Sequence, residues 1–566
     1  MSATAQATFA ATLVDEWVRA GLRHAVVSPG SRSTPLAVAL AADDRLRLHV
    51  HHDERAAGFL ALGIGKATGV PAVVLTTSGT AAVELHPAVV EASQSGVPLV
   101  VCTADRPPEL HGVGAPQTVD QVHLYGRAVR WFCPVDPAGA ASSTWRSLAT
   151  RAVAEATGAP PGPVHLDLAF REPLVGEPGP LPPGRPDGRP WHRSVRSVAG
   201  PDDAGLDDIT GLLAGERGVI VAGAGSGGPG EVHALAAATG WPVLADPTSA
   251  CRVPAPATVA AFDALLRHSS FAEGRCPEVV LRLGRPPASR VLAEWLAGSA
   301  ARQVLIERYG RWLDPDRTAA AVVAGDPAAW CSALARPLAT GGRAEEWARS
   351  WSTAEAAAQA AMDHVLARHR ELTEPGVARR LVAALPAGAT LVVSSSMPVR
   401  DVEWYAAPRT GLRILSNRGA NGIDGVISTA VGAALTTTAP ATALVGDVAF
   451  LHDANALLGL AGRGVDLTVV VVDNRGGGIF SFLPQARALA TERFELLFGT
   501  PHEVDAVELA AAHGVAARAV EDLDDLEAAL GDGGPQVVVA TTERPANVAV
   551  HDEIHAEVAS AVDRVV

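Results

Sequence analysis

Ala441-Thr-Ala-Leu-Val-Gly446-Asp447 and Leu467-Thr-Val-Val-Val-Val-Asp473-Asn474 are two short apolar runs, each closed by an oxygen-bearing side chain. Their length and β-branched content read as buried strands. Between them, Phe450-Leu-His-Asp-Ala-Asn-Ala-Leu-Leu-Gly-Leu-Ala461 reads as a helix. Strand, helix, strand is the unit of a parallel sheet, whose strands end on one edge, where ligand crevices form. Asp447 and Asn474 stand 27 residues apart at that edge. A carboxylate and an amide oxygen suit a hard cation such as Mg²⁺ carrying a diphosphate. Gly476-Gly-Gly478 follows at once and lets the backbone approach such a group. Gly-Asp or Asp-Asn alone is equally ordinary turn punctuation.

The same organisation extends outward. Strands and helices alternate throughout, with Gly- and Pro-rich connectors, which is the signature of an α/β protein. The 566 residues are too many for one ordinary core. The densest Pro/Gly stretch, Glu172 to Pro190, suits an extended linker. A second break falls near Ala339-Thr-Gly-Gly-Arg343, ahead of an Ala-rich helix reaching about His369. The expected units are 1–185, 190–340 and 345–566, each a doubly wound, mainly parallel sheet.

In the first unit, a helix (Phe9 to Ala20) and a strand (His24 to Ser28) lead into Pro29-Gly-Ser-Arg-Ser-Thr-Pro35. A further strand, Ala72 to Thr77, runs into Ser78-Gly-Thr-Ala81. Both turns offer hydroxyls and N–H groups at a strand end, as binding sites do and as ordinary helix capping does. Arg32 is harder to explain by capping, although a solvated arginine is common. Glu54, in His49-Val-His-His-Asp-Glu-Arg55, sits at a helix start, where a carboxylate also simply complements the helix dipole. In the middle unit, Gly223, Gly225 and Gly228 fit G-x-G-x-x-G, with Asp246 further on. A plain strand-to-helix turn accounts for them better, and no nucleotide is assigned.

Composition excludes several classes. A net charge of −15 disfavours nucleic acid. No apolar run is long enough for a membrane span. The five cysteines are scattered singly, which argues against disulfides or zinc and fits a reducing cytosol. With an N-terminus that lacks a basic leader, a cytoplasmic protein is expected. Lys66 is the only lysine, so anionic substrates must be held by arginine forks.

Seven strings together resemble the 2-succinyl-5-enolpyruvyl-6-hydroxy-3-cyclohexene-1-carboxylate (SEPHCHC) synthase family of thiamine-diphosphate (ThDP) enzymes. They are Ser28-Pro-Gly-Ser-Arg-Ser-Thr-Pro35, Asp53-Glu-Arg55, Thr77-Ser-Gly-Thr-Ala81, Asp105-Arg-Pro-Pro-Glu109, Ser394-Ser-Ser-Met-Pro-Val-Arg-Asp401, Asn417-Arg-Gly-Ala-Asn-Gly-Ile-Asp-Gly425 and Gly446-Asp-Val-Ala-Phe-Leu-His-Asp453. They span both outer units; the middle one is not diagnostic.

The resemblance implies a three-domain fold of the ThDP decarboxylase/carboligase type: a pyrimidine-binding domain, a central domain and a diphosphate-binding domain. It implies a reaction in which 2-oxoglutarate adds to ThDP and loses CO₂, and the resulting carbanion adds 1,4 to isochorismate on the route to menaquinone. Glu54 would then activate the cofactor by protonating its aminopyrimidine. Ile423 would hold the cofactor bent, although it reads equally as plain core. Asp447, Asn474 and the Gly476 carbonyl would bind Mg²⁺, with Mn²⁺ an alternative. Ser31, Arg32, Arg106, Gln117, Ser396, Arg400 and Arg418 would contact the acyl unit and isochorismate, Ser396 also serving the cofactor; Gln121 competes with Gln117.

The chain departs from the general ThDP pattern at Val448 and Arg475, where Gly and Asn are usual, which argues against a typical acetolactate synthase or pyruvate decarboxylase. His51 and His52 are expected to be neutral and to pack or hydrogen-bond near the pyrimidine. Because Glu54 and Asp447 lie in different domains, the family arrangement implies a site between subunits, in a homodimer at minimum and commonly a homotetramer. Two alternatives remain at this stage. One is another ThDP-dependent 2-oxo acid decarboxylase or an acetohydroxyacid-synthase-like enzyme. The other is a silent ThDP-fold protein sensing a nucleotide through its middle domain.

Overall fold

The computed structural model of the protein describes residues 2–565 except 138, 140, 196, 197 and 199. Three six-stranded, wholly parallel sheets organise the chain. The first holds β1 (His24–Val27), β2 (Arg47–Val50), β3 (Val73–Thr76), β4 (Leu99–Asp105), β5 (Trp131–Val135) and β6 (Pro163–Ala169), in the order β2-β1-β3-β4-β6-β5. The second holds β7 (Gly218–Ala222), β8 (Val243–Ala245), β9 (Thr258–Val259), β10 (Val279–Leu283), β11 (Arg302–Glu307) and β12 (Ala319–Ala324), ordered β12-β11-β10-β7-β8-β9. The third holds β13 (Thr390–Val393), β14 (Arg413–Ser416), β15 (Ala441–Gly446), β16 (Leu467–Asp473), β17 (Ala516–Val520) and β18 (Gln536–Thr541), ordered β14-β13-β15-β16-β18-β17.

The first and third sheets therefore share one strand order. Both have helices on each face, which is why their central strands are buried end to end (β4 and β16 at every residue). β15 and β16 pair directly, Ala441 with Leu467 through Gly446 with Val472. The stretch after β15 is not one helix, however. It splits into Asp447–His452 and two 3₁₀ turns, Ala454–Leu457 and Leu460–Arg463. The fully buried Asp453 breaks it: its carboxyl accepts the N–H and the hydroxyl of Ser428, at 2.7 and 2.9 Å.

Equivalent helices of the outer sheets pack on each other. Helix α1 (Glu54–Thr68) follows β2, and helix α2 (Val426–Ala434) follows β14. Phe59, Leu60 and Ile64 of one and Val426, Ile427 and Val431 of the other lie in a single core, each contributing about 1.5–3 kcal/mol. The helices approach this closely because glycine faces backbone at both crossings. A Cβ on Gly63 would overlap the Thr429 carbonyl, and one on Gly432 would overlap the Leu60 carbonyl.

Residues 172–190 form no helix or strand and lie along the first domain, where the Gly179 N–H donates to the Thr8 hydroxyl. In the middle sheet, a Cβ on Gly223 would overlap the Arg285 carbonyl. The close approach this glycine permits is thus made by the chain itself, which explains the glycine without a nucleotide. All five cysteines are free, and no helix among the described residues is long and apolar enough to cross a membrane.

Candidate active site

A cavity of about 480 Å³ opens at the carboxyl ends of β13, β15 and β16. Asp447 follows β15 and Asn474 follows β16, so both reach it, with Gly476 just beyond. Ser396 and Arg400 enter from the turn and helix after β13, and Arg418 and Ile423 from the loop after β14. Ser396 adopts φ +74°, ψ −135°, a conformation that costs a non-glycine residue about 1–3 kcal/mol and that tends to persist at functional sites. Ile423 packs on the shared core while lining the cavity.

The donor set fits a divalent cation. Asp447 Oδ1 and Oδ2 accept the N–H groups of Val448 (2.8 Å) and Gly476 (2.6 Å). Burial nevertheless pushes this carboxyl up to about 6, against those N–H groups and the nearby His502. Asn474 donates Nδ2–H to Glu374 Oε1 at 2.8 Å, while its Oδ1 is buried with no partner. A buried carboxylate beside an orphaned amide oxygen is the hard oxygen pair that a diphosphate-bound cation takes. The Gly476 carbonyl accepts the Gly478 N–H at 2.9 Å. Glu374 and His502 carried no motif; His502 Nε2 stands 3.2 Å from Asp447 Oδ2. Burial, with Asp401 nearby, pushes the Glu374 carboxyl up to about 8.

The remaining expected residues lie elsewhere. Glu54, Ser31, Arg32, Arg106 and Gln117 do not line this cavity; they gather at the matching edge of the first sheet. Arg32 follows β1, Glu54 opens the helix after β2, Ser78 follows β3, and Arg106 follows β4. Arg106 Nη1 donates to the Ser78 hydroxyl, and Ser78 exchanges hydrogen bonds with Gln117, hydroxyl to carbonyl at 3.0 Å and Nε2 to carbonyl at 2.9 Å. Gln117 is exposed with φ +56°. Gln121 is buried; its Oε1 accepts the Gly79 N–H and its Nε2 donates to Asp167 Oδ1. Ser31 is exposed. Burial raises the Glu54 carboxyl above its ordinary value, with Asp53 and Glu84 adding to the effect.

Each edge thus presents a pair of arginines. Burial and then Arg32 hold Arg106 below its usual basicity; burial and then Arg418 do the same to Arg400. Arg32 meets the exposed Glu172 at 3.4 Å. Among the described residues no carboxylate pairs with Arg106, Arg400 or Arg418 within 4 Å. Arg400 and Arg418, near each other with no carboxylate in ion-pair reach among the described residues, suit an anionic ligand.

Burial and Arg463 depress the basicity of His51, whose Nδ1 accepts the Asp53 N–H at 3.1 Å. His52 is exposed.

Lys66 and Glu91 lie outside every motif string, yet both reach the third domain. Lys66 Nζ donates to the Ser416 carbonyl (2.7 Å) and to Asn417 Oδ1 (2.9 Å). Glu91 accepts from the Gly419 N–H at 3.0 Å. Both come from the first domain and brace the loop that carries Arg418. The lone lysine of an arginine-rich chain was the one available signal.

Comparison with known proteins decides the family. Residues 7–124 match the "Thiamine pyrophosphate enzyme, N-terminal TPP binding domain" family, residues 190–393 the "Middle domain of thiamine pyrophosphate" family, and residues 396–542 the "Thiamine pyrophosphate enzyme, C-terminal TPP binding domain" family. A protein of Myxococcus xanthus (strain DK1622) named 2-succinyl-5-enolpyruvyl-6-hydroxy-3-cyclohexene-1-carboxylate synthase is 45% identical over 98% of this chain and 97% of its own. The chain belongs to the SEPHCHC synthase family. Relatives of the same name from Thermobifida fusca (strain YX), 47% identical over 98% of this chain and 99% of theirs, and Chloroflexus aurantiacus (strain ATCC 29366 / DSM 635 / J-10-fl), 43% identical over 96% and 94%, agree. Like other SEPHCHC synthase family members, the protein is a ThDP-dependent enzyme with three α/β domains.

Proposed function

We propose that the protein is a carboligase that decarboxylates 2-oxoglutarate and joins the resulting succinic-semialdehyde unit 1,4 to isochorismate, releasing CO₂, in menaquinone biosynthesis. The observation that carries this is the Arg400/Arg418 pair, without a carboxylate partner among the described residues, on the wall of the cavity that holds Asp447 and Asn474. Both substrates are dicarboxylates, and arginine forks orient carboxylates bidentately beside the reacting centre. The names of the near-full-length relatives point the same way.

Asp447, Asn474 and the Gly476 carbonyl would hold Mg²⁺ or Mn²⁺, and through it the cofactor diphosphate. Bound ThDP supplies a carbon nucleophile and an electron sink. Glu54, its carboxyl raised by burial, would share a proton with the aminopyrimidine. Ile423 would keep the cofactor bent. Ser31, Arg32, Arg106, Gln117, Ser396, Arg400 and Arg418 would orient the two substrates.

The two half-sites sit on separate edges of one chain, so we infer that the complete site forms where the first domain of one copy (1–185) meets the third domain (345–566) of another. That requires a homodimer at minimum, and we propose a homotetramer in the cytoplasm. The test is isochorismate consumption with ThDP, Mg²⁺ and 2-oxoglutarate, omitting each in turn. Loss that requires all three supports the proposal. CO₂ release without isochorismate loss rejects this acceptor, and no turnover by dimeric, cofactor-bound protein rejects the activity.

A further inference from the structure

Glu374 is 2% exposed, on the wall of the cavity, at the first position of the helix Glu374–Ala384, and it belongs to none of the ThDP strings. A carboxyl there is costly unless its hydrogen bonds are made. Its Oε1 accepts two: Asn474 Nδ2–H at 2.8 Å and the Thr542 hydroxyl at 3.3 Å. Thr542 is itself fixed, since its N–H donates to the Asp473 carbonyl at 2.8 Å. On the other side, Gly478 passes so near that a Cβ there would stand 2.5 Å from Asn474 Nδ2. The nitrogen end of this amide is thus enclosed and bonded, while the oxygen end is buried and unpartnered.

An asparagine amide is nearly symmetric in shape, so packing alone does not choose which end faces a cation. Glu374 Oε1 already accepts the Thr542 hydroxyl, so any proton on this carboxyl sits on Oε2 and Oε1 is an acceptor in either protonation state. Turning Asn474 over would set its oxygen against that acceptor and point N–H donors at the cation. We propose that Glu374 is a positioning residue for the metal: by taking the Asn474 Nδ2–H it aims Oδ1 into the cavity. Glu374 touches neither cofactor nor substrate in this role; it acts through Asn474, as outer partners of metal ligands do. The proposal rests on Asn474 being a ligand, as proposed above.

The test is Mg²⁺ affinity of ThDP-saturated protein, read by calorimetry or tryptophan fluorescence, with circular dichroism to check folding. Glu374→Met removes the acceptor and keeps the volume, Glu374→Ala removes both, and Glu374→Gln keeps an acceptor. The Met and Ala variants should weaken Mg²⁺ binding by roughly 10–100-fold, and Gln should stay within about 3-fold of wild type because an amide carbonyl still accepts the N–H. In an Asn474→Ala background the same changes at 374 should add almost nothing, since a pairwise interaction is lost only once. An undiminished penalty in that background, or wild-type affinity of Glu374→Met and Glu374→Ala, overturns the positioning role alone. Unchanged Mg²⁺ affinity of Asn474→Ala overturns the ligand assignment and the positioning role with it.

Discussion

Glu91 accepts the backbone N–H of Ala420 at 2.7 Å, tying a first-domain helix to the third-domain loop that carries Arg418 and Ile423. The same carboxyl stands 3.4 Å from the ammonium of Lys66, itself nearly buried, where burial depresses the lysine's basicity and Glu91 opposes the effect. Replacing Glu91 by Ala leaves a buried cation without its carboxylate and two loop N–H groups without an acceptor. Removing one partner of a buried pair costs about 3–5 kcal/mol. Urea unfolding of Glu91→Ala should show a loss of that order, and KM for isochorismate should rise in the fraction that stays folded. A midpoint within error of wild type would mean that water replaces the carboxylate without cost.

The helix crossing makes a sharper demand. With the Thr429 carbonyl packed against Gly63, one methyl group forces α1 and α2 apart along a shared core. Overpacking of this kind costs about 1–3 kcal/mol. Gly63→Ala should therefore lower the urea midpoint with little change in the slope of the transition, and Gly432→Ala, against the Leu60 carbonyl, should do the same.

The contrast between Asn474 and Glu374 shows what was legible in the sequence. Asn474 ends a run of β-branched residues, so both its strand and its place at the sheet edge follow from periodicity. The same logic placed Asp447, and turn chemistry placed Arg32 and Ser78. Glu374 precedes Asn474 by a hundred residues and opens a helix like any first-turn acid; only the tertiary fold brings the two together. Lys66 and Glu91 were hidden for the same reason, as ordinary helical positions until α1 and its neighbours meet the third domain. The apolar spacing after β15 reads as one continuous helix because it carries no sign of Asp453 turning inward to Ser428.

Asp453 also gives the protein a pH-dependent stability. Its carboxyl is fully buried, and burial pushes it up to about 7 despite its bonds to Ser428, from about 3.9 in an unfolded chain. Between those values the folded state binds the extra proton, so stability falls as pH rises from about 4 to about 7. Asp453→Asn keeps one acceptor and never ionises. Its unfolding free energy should vary less with pH across that window than that of wild type, measured by urea titrations at a series of pH values. Parallel curves for the two proteins would show that the carboxyl titrates in its ordinary range.

The placement of Glu54 and Asp447 at two different sheet edges leads to a complementation experiment. Glu54 lies on the first-sheet edge and Asp447 on the third, and only Asp447 lines the cavity. Glu54→Gln keeps the shape of the side chain but not its proton exchange, and should slow both turnover and deuterium exchange at C2 of bound ThDP by roughly 10²–10⁴-fold. Asp447→Asn should lose cofactor binding instead. If each site joins Glu54 of one copy to Asp447 of another, a mixed dimer contains one doubly altered site and one intact site. Refolding an equal mixture of the two inactive variants should then restore about a quarter of wild-type activity, since half the dimers are mixed and half their sites are whole. A site built within one chain has a defect in every copy and gives no recovery at any mixing ratio. Recovery that follows the fraction of mixed dimers in native mass spectrometry would establish the intersubunit site.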